Sequence, residues 1–261
     1  MGIKPFDGER GRRVLAIKIQ PVGDGGLRIG FGERIDPEIN REIRSFVNEL
    51  ERNPIPGVVE WVPTYCAVTV YYQPHRIRFR ELCQQLEAIG KRRVPVTEED
   101  ARVVELPVVY GGEYGPDLES VARKNGLSPQ EVIRLHSDPS YRVYMLGFVP
   151  GFPYLGGMSE RIATPRLKDP RPRIPAGSVG IAGSQTGVYP LETPGGWRII
   201  GRTPVRLYDP DRNPPVLLRA GDLVRFRPIP VETYREMEVK GCEGVEPAAA
   251  VCDGMDRRSE Q

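Results

Sequence analysis

LGFVPGFPYLGG (Leu146–Gly157), PRLKDPRPRIPAGSVGIAG (Pro165–Gly183) and QTGVYPLETPGGWRIIGRT (Gln185–Thr203) follow one another closely in a chain of 261 residues. Glycine reaches positive φ and lets backbones approach closely, whereas proline fixes φ and removes a donor, so this density of both encodes a backbone of defined shape. A flexible linker would share the glycines and prolines but not Phe148, Phe152, Tyr154, Leu155, Tyr189 and Trp197, which need a surface to pack on. The stretch therefore reads as ordered loops that build a site. Short strand signals surround it at 141–146, 178–182, 187–189, 197–200, 205–208 and 223–228, and strands spaced by such turns argue for a closed barrel or a sandwich. A helix near Val231–Val239 would pack back on that body.

Two short helices precede the barrel strands. One lies near Asp117–Asn125 and ends at Gly126; the next opens on the capping box Ser128-Pro129-Gln130-Glu131 and runs to about His136. The glycine-rich YGGEYG (Tyr110–Gly115) marks a domain boundary. Before it, Val14–Ile19 and Leu27–Phe31 read as strands around a GDGG turn. Asp36 and Pro37 open a helix whose apolar positions are Ile39, Ile43, Phe46, Val47 and Leu50. Val58–Val62 and Tyr65–Tyr72 read as an antiparallel pair, about Arg76–Ile89 as a second helix and Val103–Val109 as a last strand. With the first hairpin as an addition, this order is βαββαβ, the ferredoxin-like arrangement. The expected α+β architecture is a ferredoxin-like domain over residues 10–110, a β-barrel domain over 111–240 and a flexible tail over 241–261.

The 37 basic and 35 acidic side chains leave a net charge of +2, which creates no field suited to nucleic acid or a membrane surface. Cys66, Cys83, Cys242 and Cys252 form no C-x-x-C pair, and His75 and His136 complete no zinc-ligand spacing. The first residues lack an apolar segment before a cleavage site, and no later stretch approaches a membrane span, so a reducing cytoplasm is the expected location.

GWRIIGRT (Gly196–Thr203) has phosphate-loop spacing with Arg202 in place of lysine, but Trp197, Ile199 and Ile200 favour a strand and Pro204 breaks any following helix. Ser178 and Ser184 lie outside a G-x-S-x-G frame and do not read as nucleophiles. His136 could close a helix end or face a cleft as an acid or base. Arg166, Lys168, Arg171 and Arg173 could form a solvated face or hold a carboxylate or phosphate. Glu113 and Asp117 read first as helix-start acids.

LGFVPGFPYLGG, PRIPAGSVGIAG and YPLETPGGWRIIGRTP closely resemble the signature of the 5-oxoprolinase B-subunit family, also described as the KipI family, as allophanate hydrolase subunit 1 or as carboxyltransferase subdomains C and D. GDGGLRIGFGERIDPEIN and IPGVVEWVPTY agree with it too, and the resemblance extends from about Val14 to Glu238. It implies a cyclophilin-like barrel, partners resembling the A and C components of 5-oxoprolinase, and ATP-driven opening of 5-oxo-L-proline to L-glutamate. ATP with magnesium is then a cosubstrate, bound by this chain or by a partner. The family's alternative role is inhibition of a sporulation sensor histidine kinase by binding.

On this resemblance, substrate binding is expected at Phe148, Pro150, Gly151, Phe152 and Tyr154 from the first loop and at Pro175, Gly177 and Ser178 from the second. The third loop would add Gln185, Tyr189, Gly195, Gly196, Trp197 and Arg202. Backbone N–H groups of Gly151, Gly177, Gly195 and Gly196 would meet developing negative charge. Arg173 or Arg202 would hold a carboxylate or phosphate, and His136 would be the acid or base. No residue presents itself as a nucleophile, and no metal site is expected.

Overall fold

The computed structural model describes residues 17–92 and 101–240. The start of the expected first strand at Val14, the expected tail 241–261, and Cys242 and Cys252 lie outside these residues. The chain divides into two compact units, Met1–Val96 and Thr97–Gln261.

The first unit runs β1 (Lys18–Val22), β2 (Gly26–Gly30), α1 (Pro37–Arg52), β3 (Val58–Pro63), β4 (Ala67–Tyr72) and α2 (Phe79–Arg92). The sheet order is β1-β2-β4-β3, with every pairing antiparallel. Asp36 is extended and its carboxylate accepts the Glu38 N–H at 2.8 Å, while Pro37 occupies the first turn, where its missing donor costs nothing. Ile39, Ile43, Phe46 and Leu50 then recur on one buried face and share a core with Leu82 and Leu86 of α2 and Leu27, Ile29, Val68 and Val70 of the sheet.

This unit departs from the ferredoxin-like order in one strand. Val103–Tyr110, expected to close its sheet, belongs to the barrel, and the place beside β2 is taken by β1. The cause is local: the Gly23 turn, at φ 59°, folds β1 directly back onto β2. Val104, Leu106 and Val108 meanwhile have a larger apolar core to enter. The division accordingly falls between Val96 and Thr97 rather than near Tyr110.

The second unit contains β5 (Val103–Tyr110), α3 (Leu118–Lys124), α4 (Pro129–Ser137), β6 (Tyr141–Leu146), β7 (Pro153–Gly156), β8 (Arg171–Ile174), β9 (Ser178–Ala182), β10 (Gln185–Val188), β11 (Thr193–Gly195), β12 (Arg198–Arg202), β13 (Leu223–Pro228) and α5 (Val231–Lys240). Seven strands close a barrel in the order β10-β7-β6-β13-β5-β12-β9. β5 and β13 run parallel while the other pairings around the barrel are antiparallel. β8 and β11 form a separate two-stranded ribbon. The interior is packed by Leu106, Tyr141, Val143, Leu155, Ile181 and Phe226 among others, with α3 and α4 adding Val121 and Val132. The Ser128 box is present in both directions, with the Glu131 N–H donating to Ser128 Oγ at 3.3 Å and the Ser128 N–H to the Glu131 carboxylate at 2.8 Å.

Residues 205–208, expected as a strand, make only an isolated bridge between Tyr208 and Val216. Pro204 starts that segment and the proline-rich 214–215 faces it, so a continuous ladder lacks donors. β7, β8 and β11 escaped the reading for a related reason: each is three or four residues long and contains a proline.

Candidate functional site

The first signature loop joins β6 to β7 by a tight return. The Gly147 N–H donates to the Phe152 carbonyl at 3.1 Å and the Phe152 N–H to the Val149 carbonyl at 3.1 Å. This geometry forces positive φ at Gly151 (80°) and at Phe148 (64°), and the second is unusual because a side chain is strained there. Phe148 is nevertheless 65% exposed, while Phe152 is buried.

Phe152 is the hub of an aromatic cluster. Its ring meets Phe148 at 5.8 Å, Tyr154 at 5.1 Å, Tyr189 at 5.3 Å and Trp197 at 5.4 Å, all edge to face. Such contacts exceed simple area burial by about 0.5–1.5 kcal/mol per pair. Gly187 leaves the room they need, since a Cβ there would lie 3.1 Å from both the Phe152 and Trp197 rings. The Arg166 guanidinium sits 5.8 Å from the centre of the Trp197 ring. The Gly196 carbonyl accepts the Leu167 N–H at 2.7 Å, and Gly195 pairs with Arg171 in the β8–β11 ribbon.

Beside this cluster opens a cleft of about 730 Å³, bordered by Ala176, Gly177, Pro190, Arg202, Asp209 and Tyr234. Tyr189 links the two features: its ring is in the cluster, and its carbonyl accepts the Gly177 N–H at 2.7 Å. Gly177 has φ 81° and its Cα faces the Thr203 carbonyl so closely that a Cβ would overlap it. Its amide is therefore spent on Tyr189 and not available to a substrate oxyanion. Arg202, at the end of β12, donates from Nε to the Ala176 carbonyl at 2.9 Å. Among the described residues no carboxylate pairs with it. Arg212 donates instead to the carbonyls of Arg206, Leu207, Pro214 and Pro215 at 3.0–3.3 Å, which fixes the loop on the cleft's border.

The remaining expected residues separate. Phe148, Phe152, Tyr154, Tyr189 and Trp197 gather at the cluster, Gly151 faces Leu207, Tyr208 and Val216, and Gly177 and Arg202 border the cleft. Pro150 and Pro175 are exposed turn residues, and the Pro175 carbonyl accepts the Ser178 N–H at 3.3 Å. Ser178 is buried, its carbonyl taken by the Tyr189 N–H at 2.9 Å, and Gln185 begins β10 opposite Ala182. Arg173 is 81% exposed and pairs with Glu192 at 3.2 Å.

His136 is fully buried in the barrel interior. The Thr186 hydroxyl donates to the Gly180 carbonyl at 3.0 Å, so its oxygen accepts from Nε2–H at 2.8 Å. Nδ1 then accepts the Tyr110 hydroxyl at 2.8 Å. The ring stacks on Phe226 at 4.6 Å. Each proton in this chain has one acceptor, and the chain closes only with a neutral imidazole. Burial pushes the His136 pKa down to about 3 and raises Tyr110 well above the ordinary phenol. Both ring nitrogens are engaged, so an acid or base role toward a substrate has no open atom to act through.

Asp117, read as a helix cap, makes no cap bond. Its buried carboxylate receives both terminal nitrogens of Arg171 at 2.8 and 2.9 Å and the Ile199 N–H at 2.7 Å. It thus ties α3, the β8 strand and β12 together beneath the cluster. The cleft residues Tyr234 and Glu238 were missed because they lie outside the signature; the Tyr-x-x-x-Glu spacing on α5 was the available signal.

GWRIIGRT forms strand β12, not a turn entering a helix, and no cluster of three or more His, Cys, Asp or Glu suited to a metal occurs among the described residues. Among the described residues no helix is long and apolar enough to cross a membrane.

The chain is of the carboxyltransferase class: the sequence model for the carboxyltransferase domain, subdomain C and D, matches residues 17–218, and the chain belongs to that family. Its relatives narrow the class. The B subunit of 5-oxoprolinase from Bacillus subtilis is 48% identical over 232 residues, covering 85% of this chain and 96% of that protein. The crystal structure of TTHA0988 superposes with a TM-score of 0.71 at 43% identity, over 78% of this chain but only 40% of that longer one. The urea amidolyase of K. lactis, at 19% identity and a TM-score of 0.70 over 89% of this chain and 16% of that one, shares the fold.

Proposed function

We propose that this chain is the B component of a cytoplasmic 5-oxoprolinase, working with A-like and C-like partner components to open 5-oxo-L-proline to L-glutamate at the expense of ATP. Near-complete coverage of the Bacillus subtilis relative supports the reading. The observation that carries it to a site is Arg202, a guanidinium anchored through Nε and bordering a cleft with no carboxylate partner among the described residues. A free planar donor face of this kind takes a carboxylate bidentately.

Lactam opening must overcome amide resonance, and ATP supplies that by making the carbonyl oxygen a leaving group. The nucleotide is bound by this chain or shared with a partner component. What this chain contributes is position. Arg202 holds the substrate carboxylate, and Val205, Leu217 and Met237 on the cleft border give the ring an apolar surface. Arg173, exposed and already paired with Glu192, is not needed for this. We also read the barrel as cyclophilin-like, on the resemblance of its signature loops.

The test is oxoproline-dependent ATP hydrolysis in a mixture of all three components. Activity should require every component, fall at least tenfold in kcat/KM for Arg202→Ala, and stay near wild type for Arg173→Ala. Full activity of Arg202→Ala would remove the cleft from the reaction. The kinase-inhibitor reading predicts instead that the isolated chain suppresses autophosphorylation of a sensor kinase, and no change in that titration is the expected result.

A further inference from the structure

The cleft has a second pole. Helix α5 brings Tyr234, Met237 and Glu238 to the border that Arg202 reaches from β12. Tyr234 is 1% exposed, its ring fixed 4.7 Å from that of Tyr114, and its hydroxyl donates to Glu238 Oε1 at 3.3 Å. Burial raises this phenol to about 12 and the nearby Arg202 charge partly opposes the shift, so the hydroxyl stays protonated and keeps directing the Glu238 carboxylate. The cleft is also bordered by Arg206, Asp209, Asp211 and Arg212. Asp209 receives the Asp211 N–H at 3.1 Å, and Arg212 is spent on backbone carbonyls. Arg202 and Glu238 thus border one cavity, joined through Tyr234, without an ion pair between them among the described residues.

A cation donor and a carboxylate acceptor held apart in one cleft complement a ligand carrying both a carboxylate and a nitrogen donor close together. We propose that the cleft recognises α-amino-acid-like ligands at both ends, the carboxylate on Arg202 and the α-nitrogen on Glu238. Naming the ligands rests on the oxoprolinase reading. In 5-oxo-L-proline the nitrogen is a neutral ring N–H with one proton to donate; in L-glutamate it is an ammonium with three protons and a charge. The same two poles therefore hold the opened product more tightly than the closed substrate, because charge-assisted hydrogen bonds are the stronger ones. Glu238 is a specificity residue for the nitrogen, and the cleft is a site of product inhibition.

Calorimetric titration of the full chain with 5-oxo-L-proline, L-glutamate and cyclopentanecarboxylate tests this, the last having the carboxylate and ring without the nitrogen. L-Glutamate should bind about fivefold more tightly than 5-oxo-L-proline, and cyclopentanecarboxylate about fivefold more weakly. Glu238→Gln should erase the glutamate preference while keeping carboxylate binding; Arg202→Ala should lose all three ligands. Unchanged urea midpoints for both variants show that folding is intact. Absence of binding by every ligand, or a glutamate preference that survives Glu238→Gln, overturns the proposal. Binding as described, without oxoproline-dependent ATP hydrolysis in the three-component mixture, upholds the cleft and overturns the oxoprolinase reading alone.

Discussion

Lowering the pH from 7 to 4 puts the buried hydrogen-bonded chain around His136 under direct load. In the folded barrel the imidazole is neutral with a pKa of about 3, against 6.5 for the ordinary side chain. Between those values the unfolded chain binds a proton that the folded one refuses. The stabilisation is therefore fully present above pH 6.5 and is lost as pH falls toward 3, at about 1.4 kcal/mol per pH unit inside the window and about 5 kcal/mol across it. The two tryptophans make the measurement specific, because Trp61 lies in the first unit and Trp197 in the second. In a Trp61→Phe background, urea unfolding followed by Trp197 fluorescence reports the barrel. His136→Phe should cost about 1–3 kcal/mol at pH 7, where Tyr110 loses its acceptor. Its stability should then fall less steeply with acid than the parent's, by about 1.4 kcal/mol per pH unit below 6.5, so that the two converge between about pH 6 and about pH 4.5. Carboxylates titrate in both proteins and drop out of the difference. Parallel pH profiles would refute the neutral, inaccessible histidine and return it to the list of candidate acids and bases.

Asp117→Ala should destabilise the barrel by about 3 kcal/mol, since it strands the Arg171 charge and the Ile199 amide together; a loss under about 1 kcal/mol in urea titration would show that the pair is not structural. Phe152→Ala should cost about 3–5 kcal/mol and Phe148→Ala under about 1 kcal/mol, as one ring is the buried hub and the other is exposed. The reverse order of thermal midpoints would displace Phe152 from the centre. Gly177→Ala combines a left-handed backbone with a collision at the Thr203 carbonyl, so it should lose more than about 1 kcal/mol of stability. It should also weaken carboxylate binding by calorimetry, because the Ala176 carbonyl that anchors Arg202 moves with it.

Local chemistry was legible residue by residue. Asp36 with Pro37 and Ser128 with Glu131 announced two helix starts, and both are found where those side chains put them. The signature stretch announced its aromatic cluster, because rings among so many glycines and prolines have few other places to pack. Partnerships over long separations were not legible. Asp117 sits at a helix start, where a cap is the local expectation, yet its partners are Arg171 and Ile199, 54 and 82 residues away. Val103–Tyr110 has a strand's composition, but composition does not name a sheet; its neighbours β12 and β13 come about a hundred residues later. His136 follows the same logic, since only the closed barrel brings Thr186 to its ring.

The position of β5 in the closed barrel has a consequence for synthesis on the ribosome. Its two neighbours are Arg198–Arg202 and Leu223–Pro228, so both of its edges wait for chain that emerges long after it. The first unit pairs β1 with β2 and β3 with β4 as hairpins, and its longest pairing, β2 with β4, closes within Gly26–Tyr71, so it can form while translation continues, whereas the barrel must gather late, through contacts of higher sequence separation. During that interval Val104, Leu106 and Val108 stand on an unpaired apolar strand, an invitation to chaperones and to aggregation alike. A nascent chain stalled before β13 should consequently carry a folded first unit and a protease-sensitive second one.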